Sequence, residues 1–228
     1  MKGLSNKSQT YRSADEETRK TRARYDRVAW LYDAEEYLVE RLLFARWRRG
    51  LWEQVPLGHG LEIGVGTGKN LSYYPTGSRV TAVDFSPRML EREKRHVQRL
   101  GAQVDLALMD AQHLDYPDAT FDWAVATFVF CSVPDPIKGL RELARVVKPD
   151  GRIFLLEHMR SGTPLIGPVM DVLNPIAVRL NGANINRRTM KNVNLAGLEV
   201  LSVDDLSPGG IFKLISARSG WGGSAGKR

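Results

Sequence analysis

Residues 61–68 read Leu-Glu-Ile-Gly-Val-Gly-Thr-Gly, and the rest of the chain is organised around them. A short apolar run that begins at Leu61 gives way to three glycines at alternate positions, Gly64, Gly66 and Gly68. Glycine suits a tight turn because it tolerates positive φ and lets a ligand approach the backbone closely. The pattern predicts a strand, a tight turn and the start of a helix whose free N–H groups point at that ligand.

Residue spacing excludes two other kinds of glycine-rich loop. A Walker loop needs a glycine five residues before Gly68 and a Ser or Thr after the lysine, but those positions hold Ile63 and Asn70. A dinucleotide-binding fingerprint needs a third glycine three residues after the second, where this chain has Lys69. The pattern that remains is Glu62-x-Gly64-x-Gly66-x-Gly68.

The composition is that of an ordinary globular protein, 43% apolar and 26% charged over 228 residues, which is enough for one large α/β domain with appendages. No apolar run approaches the roughly 18 residues of a membrane-spanning helix, and residues 1–6 lack the apolar segment of a signal peptide. The single cysteine, Cys131, allows no internal disulfide, so we expect a reducing, cytoplasmic setting. Zinc-ligand spacing and nucleic-acid-binding motifs are absent from the sequence, so we expect neither a metal nor a nucleic-acid partner.

The formal net charge of +7 is compatible with nucleic acid, an anionic membrane or an acidic substrate. Basic residues concentrate in the first fifty positions and again at Arg187, Arg188 and Lys191. Acidic residues are interleaved with them, so a solvated helical face is an equally simple interpretation. The charge alone therefore selects no partner.

Strand-like and helix-like segments alternate, which predicts a doubly wound α/β fold. Apolar runs indicate buried parallel strands at 60–64, 79–84, 104–109, 121–127 and 151–157. Helices are signalled by Ser86-Pro87 before a segment that Gly101 ends, and by Asp135-Pro136. The turn at 207–210 joins two further strand-like runs, 198–204 and 211–217, which must be antiparallel. We therefore predict a seven-stranded, mostly parallel sheet that ends in an antiparallel hairpin.

Outside this sheet we expect a disordered N-terminus (1–12), a helical N-terminal segment (13–54) and a flexible tail (219–228) around the main domain (55–218). Ser13 and Glu16 have the spacing of a capping box, which predicts a helix towards Ala29. A second, broadly apolar helix follows it and is expected to end at Pro56 and Gly58.

The glycine turn, Glu62 before it and an acid at position 84 resemble the class I methyltransferases that bind S-adenosyl-L-methionine. Residues 121–123, Phe-Asp-Trp, are similar to the opening of that family's fourth strand, in which Asp122 is structural. The turn Lys148-Pro149-Asp150-Gly151 also matches, with Asp150 in place of a glycine. The resemblance covers residues 55–218, and it implies the seven-stranded fold and S-adenosyl-L-methionine as cofactor.

The resemblance also assigns cofactor-binding residues. The turn residues Gly64, Gly66, Thr67 and Gly68 would lie against the methionine part of the cofactor, which Glu62 helps to hold. Asp84 is twenty residues after Gly64, a distance at which an acid accepts from ribose hydroxyls, with a capping or turn role as the alternative. By the same resemblance, Asp110 would lie near the adenine amino group, Ala111 beside the ring and Thr127 against the methionine portion, with a surface turn as the alternative for Asp110. Phe85 and Met89, which follow Asp84, would then border the adenine.

Residues 25–33, Tyr-Asp-Arg-Val-Ala-Trp-Leu-Tyr-Asp, look like the N-terminal segment of the quinone-biosynthesis and phospholipid N-methyltransferase branch. That resemblance implies a helix that closes over the cofactor, with Tyr25 and Tyr32 at the reaction centre. Tyr25 would also contact the cofactor and Tyr32 the acceptor; ordinary helix packing is the alternative. His158, after the fifth strand, is a candidate to orient or deprotonate the acceptor, or is a hydrogen-bonded structural residue.

An insertion at 161–185 precedes the sixth strand and is rich in apolar residues interrupted by prolines. Together with the Arg-rich N-terminal segment it predicts a hydrophobic acceptor presented at an anionic bilayer, unless both segments only cover the core. Arg187 and Arg188 are candidates to bind the acceptor's phosphate, or belong to a solvated face.

The leading hypothesis is methylation of a lipid-like acceptor, most favourably N-methylation of phosphatidylethanolamine, by a protein peripheral to the inner face of the membrane. C-methylation of a prenylated quinone precursor is one alternative. Thiol methylation is another, because residues 128–133 with Glu157-His158-Met159 also resemble membrane-associated thiol methyltransferases. Cys131 itself is expected to be a small buried residue. A cofactor-binding regulatory protein without turnover is the non-enzyme alternative, and a monomer is the default oligomeric state.

Overall fold

The computed structural model describes residues 16, 19, 44–100, 103–181 and 183–220. Tyr25, Tyr32 and most of the predicted N-terminal helices lie outside these residues, and so does the predicted tail after residue 220. The roles predicted for the two tyrosines therefore remain predictions.

Seven strands form one sheet in the order 3-2-1-4-5-7-6. Strands β1 to β5 pair in parallel, and β7 lies antiparallel between β5 and β6. Their bounds are β1 (His59–Ile63), β2 (Arg79–Asp84), β3 (Val104–Leu108), β4 (Phe121–Thr127), β5 (Val147–His158), β6 (Leu198–Asp205) and β7 (Phe212–Ser219). The predicted mostly parallel sheet with a C-terminal antiparallel hairpin is confirmed.

The central strands are apolar because both faces of the sheet are covered. In β4 every residue is buried except Asp122, whose carboxylate accepts from the His59 N–H at 2.7 Å and from Lys148 Nζ at 2.6 Å. This arrangement fits the structural role expected for Asp122. On β1, a Cβ added to Gly60 would lie 2.1 Å from the Trp123 ring, so the close packing of these strands requires a glycine there.

Five α-helices are described: α1 (Ala45–Trp52), α2 (Pro87–Leu100), α3 (Pro136–Val146), α4 (Ile166–Asn181) and α5 (Thr189–Ala196). The expected caps are present, since Ser86 Oγ accepts the Met89 N–H at 3.2 Å and Asp135 accepts the Lys138 N–H at 3.0 Å. Helix α5 ends at Gly197, which adopts the left-handed conformation. The predicted starts of α2 and α3 are thus explained by local hydrogen bonds.

Three local predictions were wrong. The glycine turn leads into a three-residue 3-10 helix, Leu71–Tyr73, and not into an α-helix, because Pro75 holds Tyr74 in extended geometry with ψ 136°. Helix α1 ends at Trp52, ahead of Pro56. Strand β5 begins at Val147 and not at residue 151, because the predicted turn at 148–151 is a bulge within the strand: its pairing with β4 jumps from Phe121 opposite Val147 to Trp123 opposite Arg152.

Candidate active site

A cavity of about 490 Å³ opens at the carboxyl ends of β1, β2 and β4, where ligands bind in open α/β sheets. The structure brings ten residues predicted from the sequence together in its lining: Gly64, Gly66, Thr67, Asp84, Phe85, Met89, Asp110, Ala111, Thr127 and His158. Glu62, Gly68, Arg187 and Arg188 lie outside that lining.

The glycine turn forms the floor of the cavity. Gly64, Gly66 and Gly68 have φ values of 67°, 59° and 84°, a region that residues with a Cβ rarely adopt. A Cβ at Gly64 would lie 2.5 Å from Val129 Cγ2, whereas one at Gly66 would meet nothing closer than Gly64 O at 3.9 Å. Gly64 is therefore required by packing, and Gly66 leaves open space beside the backbone for a ligand.

Asp84 joins the end of β2 to the glycine turn. Its Oδ2 accepts the Gly66 N–H at 2.9 Å, and its Oδ1 accepts the Ser86 N–H at 2.9 Å. The side chain is buried yet contributes to the cavity wall. Asp84 thus has the turn role that the sequence left open, at a position where its carboxylate also faces the predicted ribose site.

Glu62 acts on the cavity through Asn70. The Glu62 carboxylate is fully buried and accepts from Asn70 Nδ2 at 2.6 Å and from the Tyr74 hydroxyl. Burial raises the pKa of Glu62 to about 7. Asn70 lines the cavity and also donates to Thr127 Oγ1 at 2.9 Å, so it joins the ends of β1 and β4.

Arg48 of α1 completes this network and was not predicted as a site residue. It lines the cavity although its side chain is buried, and its Nη1 donates to Asn70 Oδ1 at 2.8 Å. Its guanidinium carbon lies 5.6 Å from the centroid of the Phe128 ring, within cation–π range. Phe128 follows β4 with φ 58°, an unusual conformation for a residue of its size and one that occurs at functional sites.

Asp110 lines the opposite side of the cavity after β3. Its Oδ1 accepts the Gln112 N–H at 2.9 Å, the local bond of an Asx turn, and both oxygens accept from Gln112 Nε2 at 3.0 Å. Gln112 in turn accepts the Asp135 N–H at 3.0 Å, which ties this turn to the start of α3. Asp110 therefore has the turn role that the sequence left open, and its role near the adenine remains a prediction.

The loop at 128–133 separates the cofactor side of the cavity from the segment after α4. Glu157 Oε1 accepts the N–H groups of Val129 and Phe130 at 2.9 and 3.0 Å. Burial raises the pKa of Glu157 to about 7, and it raises the pKa of the Cys131 thiol to about 12. Cys131 is therefore a buried thiol and not an activated nucleophile, as expected.

Arg187 serves this loop instead of facing the cavity. Its Nε and Nη2 donate to the carbonyl oxygens of Cys131 and Val133 at 3.3 and 2.7 Å. Arg188 is exposed and immediately precedes α5. The structure thus gives no support for the phosphate-binding role predicted for these two arginines.

His158 lies at the end of β5 and lines the cavity. Its Nε2 is 3.1 Å from the main-chain oxygen of Asn184, and burial lowers the pKa of the imidazole. The ring is 6.3 Å from that of Phe212, which belongs to an aromatic group with Phe44 and Phe128. A largely neutral imidazole therefore borders an aromatic wall.

Comparison with known proteins assigns this site to a class. A family model described as "Methyltransferase domain" matches residues 61–155. The phosphatidylethanolamine N-methyltransferase of Cereibacter sphaeroides is 35% identical over 162 residues, an alignment that covers 69% of this chain and 78% of that protein. The chain therefore belongs to the class I S-adenosylmethionine-dependent methyltransferases, in the branch similar to quinone-biosynthesis and phospholipid N-methyltransferases.

Other relatives act on different acceptors. The ubiquinone/menaquinone biosynthesis C-methyltransferase UbiE of Citrifermentans bemidjiense is 31% identical, over 66% of this chain and 68% of that protein. The thiol S-methyltransferase TMT1B of Rattus norvegicus is 32% identical, over 60% of this chain and 58% of that protein. A Thermotoga maritima methyltransferase structure, described as a possible histamine N-methyltransferase, matches the fold with a TM-score of 0.68 at 23% identity, over 86% of this chain and 99% of that one.

The cavity floor fits S-adenosyl-L-methionine, the cofactor of this class. The open space beside Gly66 accommodates a ligand against the backbone, and Asp84 is the residue that would hold the ribose hydroxyls. Asp110 and Ala111 would border the adenine, and Thr127 would lie at the methionine end. Within the described ranges, no helix has both the length and the apolar character to cross a bilayer, and no group of His, Cys, Asp or Glu side chains could hold a metal ion.

Proposed function

We propose that the chain methylates a lipid-like acceptor, most favourably the amine of phosphatidylethanolamine. The observation that carries the proposal is the outer part of the cavity, which is apolar and continues the cofactor side without a break. Its walls come from the residue before α1, the 128–133 loop, α4, the segment after α4 and the residues at the start of β7. They include Phe44, Phe128, Met170, Ile185, Ile211 and Phe212. The 35% identity to a phosphatidylethanolamine N-methyltransferase supports the same acceptor.

The outer face of α4 supports delivery of this acceptor from a bilayer. One side of the helix packs on the cavity through Met170, whereas the other side exposes large apolar side chains. These exposed residues, named here the α4 stripe, are Leu165, Ile166, Val169, Val172, Leu173 and Ile176. Their spacing places them on one helical face. With the net charge of +7, the stripe suits an anionic bilayer, which attracts basic groups and accepts apolar ones.

The chemistry assigned to the chain's own residues is mainly positioning. When bound, the cofactor supplies an electrophilic methyl group on sulfur, and alignment with exclusion of water accounts for much of the acceleration. An amine that takes this methyl group from the cofactor's sulfur would have to lose a proton. His158, with its pKa lowered by burial, is the residue in the cavity wall that takes this proton.

A thiol acceptor is the second candidate, which the similarity to TMT1B favours. A prenylated quinone precursor is the third, which the similarity to UbiE favours. Both would occupy the same outer part of the cavity. The residues that line it therefore do not distinguish a thiol or a quinone precursor from a lipid acceptor.

Incubation with methyl-labelled cofactor separates these candidates. The acceptor panel contains vesicles of phosphatidylethanolamine with phosphatidylglycerol, detergent-dispersed prenylated quinols, and aliphatic thiols. We expect the label in mono-, di- or trimethylated phosphatidylethanolamine. Label confined to water-soluble thiols would contradict a lipid acceptor, and His158→Gln provides a matched variant in which lipid methylation should fall while cofactor affinity is retained.

A further inference from the structure

Two asparagines, Asn174 and Asn184, connect α4 to the candidate active site. Asn174 lies on α4, and its Nδ2 donates to Asn184 Oδ1 at 3.1 Å. Its Oδ1 accepts the Ile185 N–H at 2.9 Å, so the same side chain bonds two consecutive residues of the segment after α4. Asn174 thereby fixes both the side chain of Asn184 and the backbone immediately after it.

Asn184 also bonds to the loop after β4. Its main-chain N–H and its Nδ2 both donate to the carbonyl oxygen of Cys131, at 3.0 and 3.1 Å. Asn184 is therefore held through its main-chain N–H and its side chain, by the 128–133 loop on one side and by α4 on the other. The carbonyl group of Asn184 is consequently fixed in position relative to β5.

That carbonyl faces His158. His158 Nε2 lies 3.1 Å from Asn184 O, and a carbonyl oxygen can only accept a hydrogen bond. Nε2 must therefore carry the proton, which leaves the lone pair of the neutral ring on Nδ1. A proton acceptor on an imidazole ring needs such an assigned lone pair, because the other tautomer would present an N–H instead.

We propose that Asn184, oriented by Asn174, is a positioning residue that holds His158 in the tautomer with its lone pair on Nδ1. Asn184 does not contact the acceptor in this role; it sets which ring nitrogen can take a proton. The inference rests on the proposed function only in one respect, namely that His158 is the group that accepts the proton from the acceptor. The tautomer itself is a property of the protein without any acceptor.

Among the described residues, ionisable groups adjacent to His158 in sequence, in sheet register or in the loop beside it come from three elements. Glu157 precedes it in β5 and turns its carboxylate to the 128–133 loop, where Cys131 also lies. Lys213 of β7 pairs in register with Glu157, and its Nζ is held by Asp205. Burial and the bond to Asn184 are the two influences on the pKa of His158, the first lowering it and the second raising it.

The test uses the full chain labelled with ¹⁵N at histidine, with the His158 signals assigned from His158→Gln. In the wild type at pH 8 we expect one protonated and one unprotonated ring nitrogen, with Nε2 protonated. In Asn184→Ala and Asn174→Ala the signals should move towards a mixture of the two tautomers. Asn194→Ala, an exposed asparagine on α5, is the matched control and should keep the wild-type signals.

Activity provides the second readout. Asn184→Ala should lower kcat by on the order of tenfold or more through misplacement of the proton acceptor, with cofactor affinity unchanged by calorimetry. The acid limb of its kcat profile should shift to lower pH, because a bond that raises the His158 pKa is weakened. A single Nε2–H tautomer in both variants overturns the inference. If no acceptor is methylated, the proposed function fails while the tautomer measurement still decides this inference.

Discussion

Asp84 Oδ2 accepts the backbone N–H of Gly66 at 2.9 Å, so the residue that ends β2 also holds the middle of the glycine turn. The same carboxylate accepts the Ser86 N–H and thereby fixes the chain as it enters α2. Two segments of the predicted cofactor site are therefore aligned by one side chain. Its removal should affect both at once.

Asp84→Ala should weaken cofactor binding by about ten- to a hundredfold, since hydrogen bonds to a charged group contribute about 1.5–3 kcal/mol each. Calorimetric titration with S-adenosyl-L-methionine measures this loss. Asp105→Ala is the control, because Asp105 is an exposed acid on the neighbouring strand and pairs only with the exposed Arg79 in the described contacts. Equal affinities for the two variants would contradict the site.

Gly64→Ala should destabilise the fold by more than the cost of placing an alanine at a positive φ. Left-handed geometry costs a residue with a Cβ about 1–2 kcal/mol, and the contact of 2.5 Å with Val129 adds about 1–3 kcal/mol of overpacking. Gly77→Ala separates the two effects, because Gly77 has φ 91° with nothing within 4 Å of an added Cβ. In urea unfolding, Gly64→Ala should have a lower free energy of unfolding than Gly77→Ala. The opposite order would refute the packing argument.

Glu93 on α2 makes stability depend on pH. Its side chain is fully buried, neither carboxylate oxygen has a hydrogen-bond partner in the described part of the chain, and burial raises its pKa from 4.5 to about 8. A raised folded-state pKa means that the neutral form is favoured in the fold. The stability it confers is fully present below pH 4.5 and is lost as the pH rises through about 8.

Glu93→Gln keeps the shape and removes the charge. The variant and the wild type should therefore have similar Tm values at pH 5, and the variant should be the more stable of the two at pH 8.5. Glu91→Gln, an exposed change on the same helix, controls for surface charge. A constant Tm difference across this range would show that Glu93 does not titrate as inferred.

Replacement of two members of the α4 stripe should abolish the proposed bilayer contact. Val172 and Ile176 are 75% and 58% exposed, so aspartates there should leave the fold and cofactor affinity intact. Each apolar side chain that no longer enters the bilayer should weaken the free energy of membrane binding by about 1.5–3 kcal/mol. Co-sedimentation with vesicles containing phosphatidylglycerol should therefore fall at least tenfold. Leu195→Asp on α5 is the matched control, being 50% exposed outside the stripe. Undiminished sedimentation of the double variant would rule out the stripe as the docking face.

The sheet could be predicted because strands that are buried on both faces appear in the sequence as continuous apolar runs. In β4 the apolar run covers the buried positions, and the acid that ends β2 marks the cofactor side. The glycine turn and the strand ends are local patterns, so ten residues of the cavity lining could be predicted from them. The function class could be predicted from the same patterns.

Three residues were missed, and only one of them depends on contacts far apart in the chain. Asn70 bonds to partners 8, 22 and 57 residues away, and no local pattern marks it. Arg48 was grouped with a basic helix face, although its spacing to Leu51 and Trp52 places it on the buried face of α1. Glu93 lies one helical turn after the buried Met89, a position where a charged residue hides the amphipathic pattern. The first of these needed tertiary structure, whereas helical periodicity could have found the other two.

The two sides of the cavity draw on different parts of the chain. Apart from Tyr25, the cofactor-binding residues predicted from the sequence fall between Glu62 and Thr127, whereas Met170 and Ile185 of the outer part come from the stretch between His158 and Arg187. Substitutions in this later stretch should therefore change part of the acceptor side and leave unchanged the strand ends that are predicted to hold the cofactor. Under the proposed function, this division would let the acceptor side change without loss of the cofactor site.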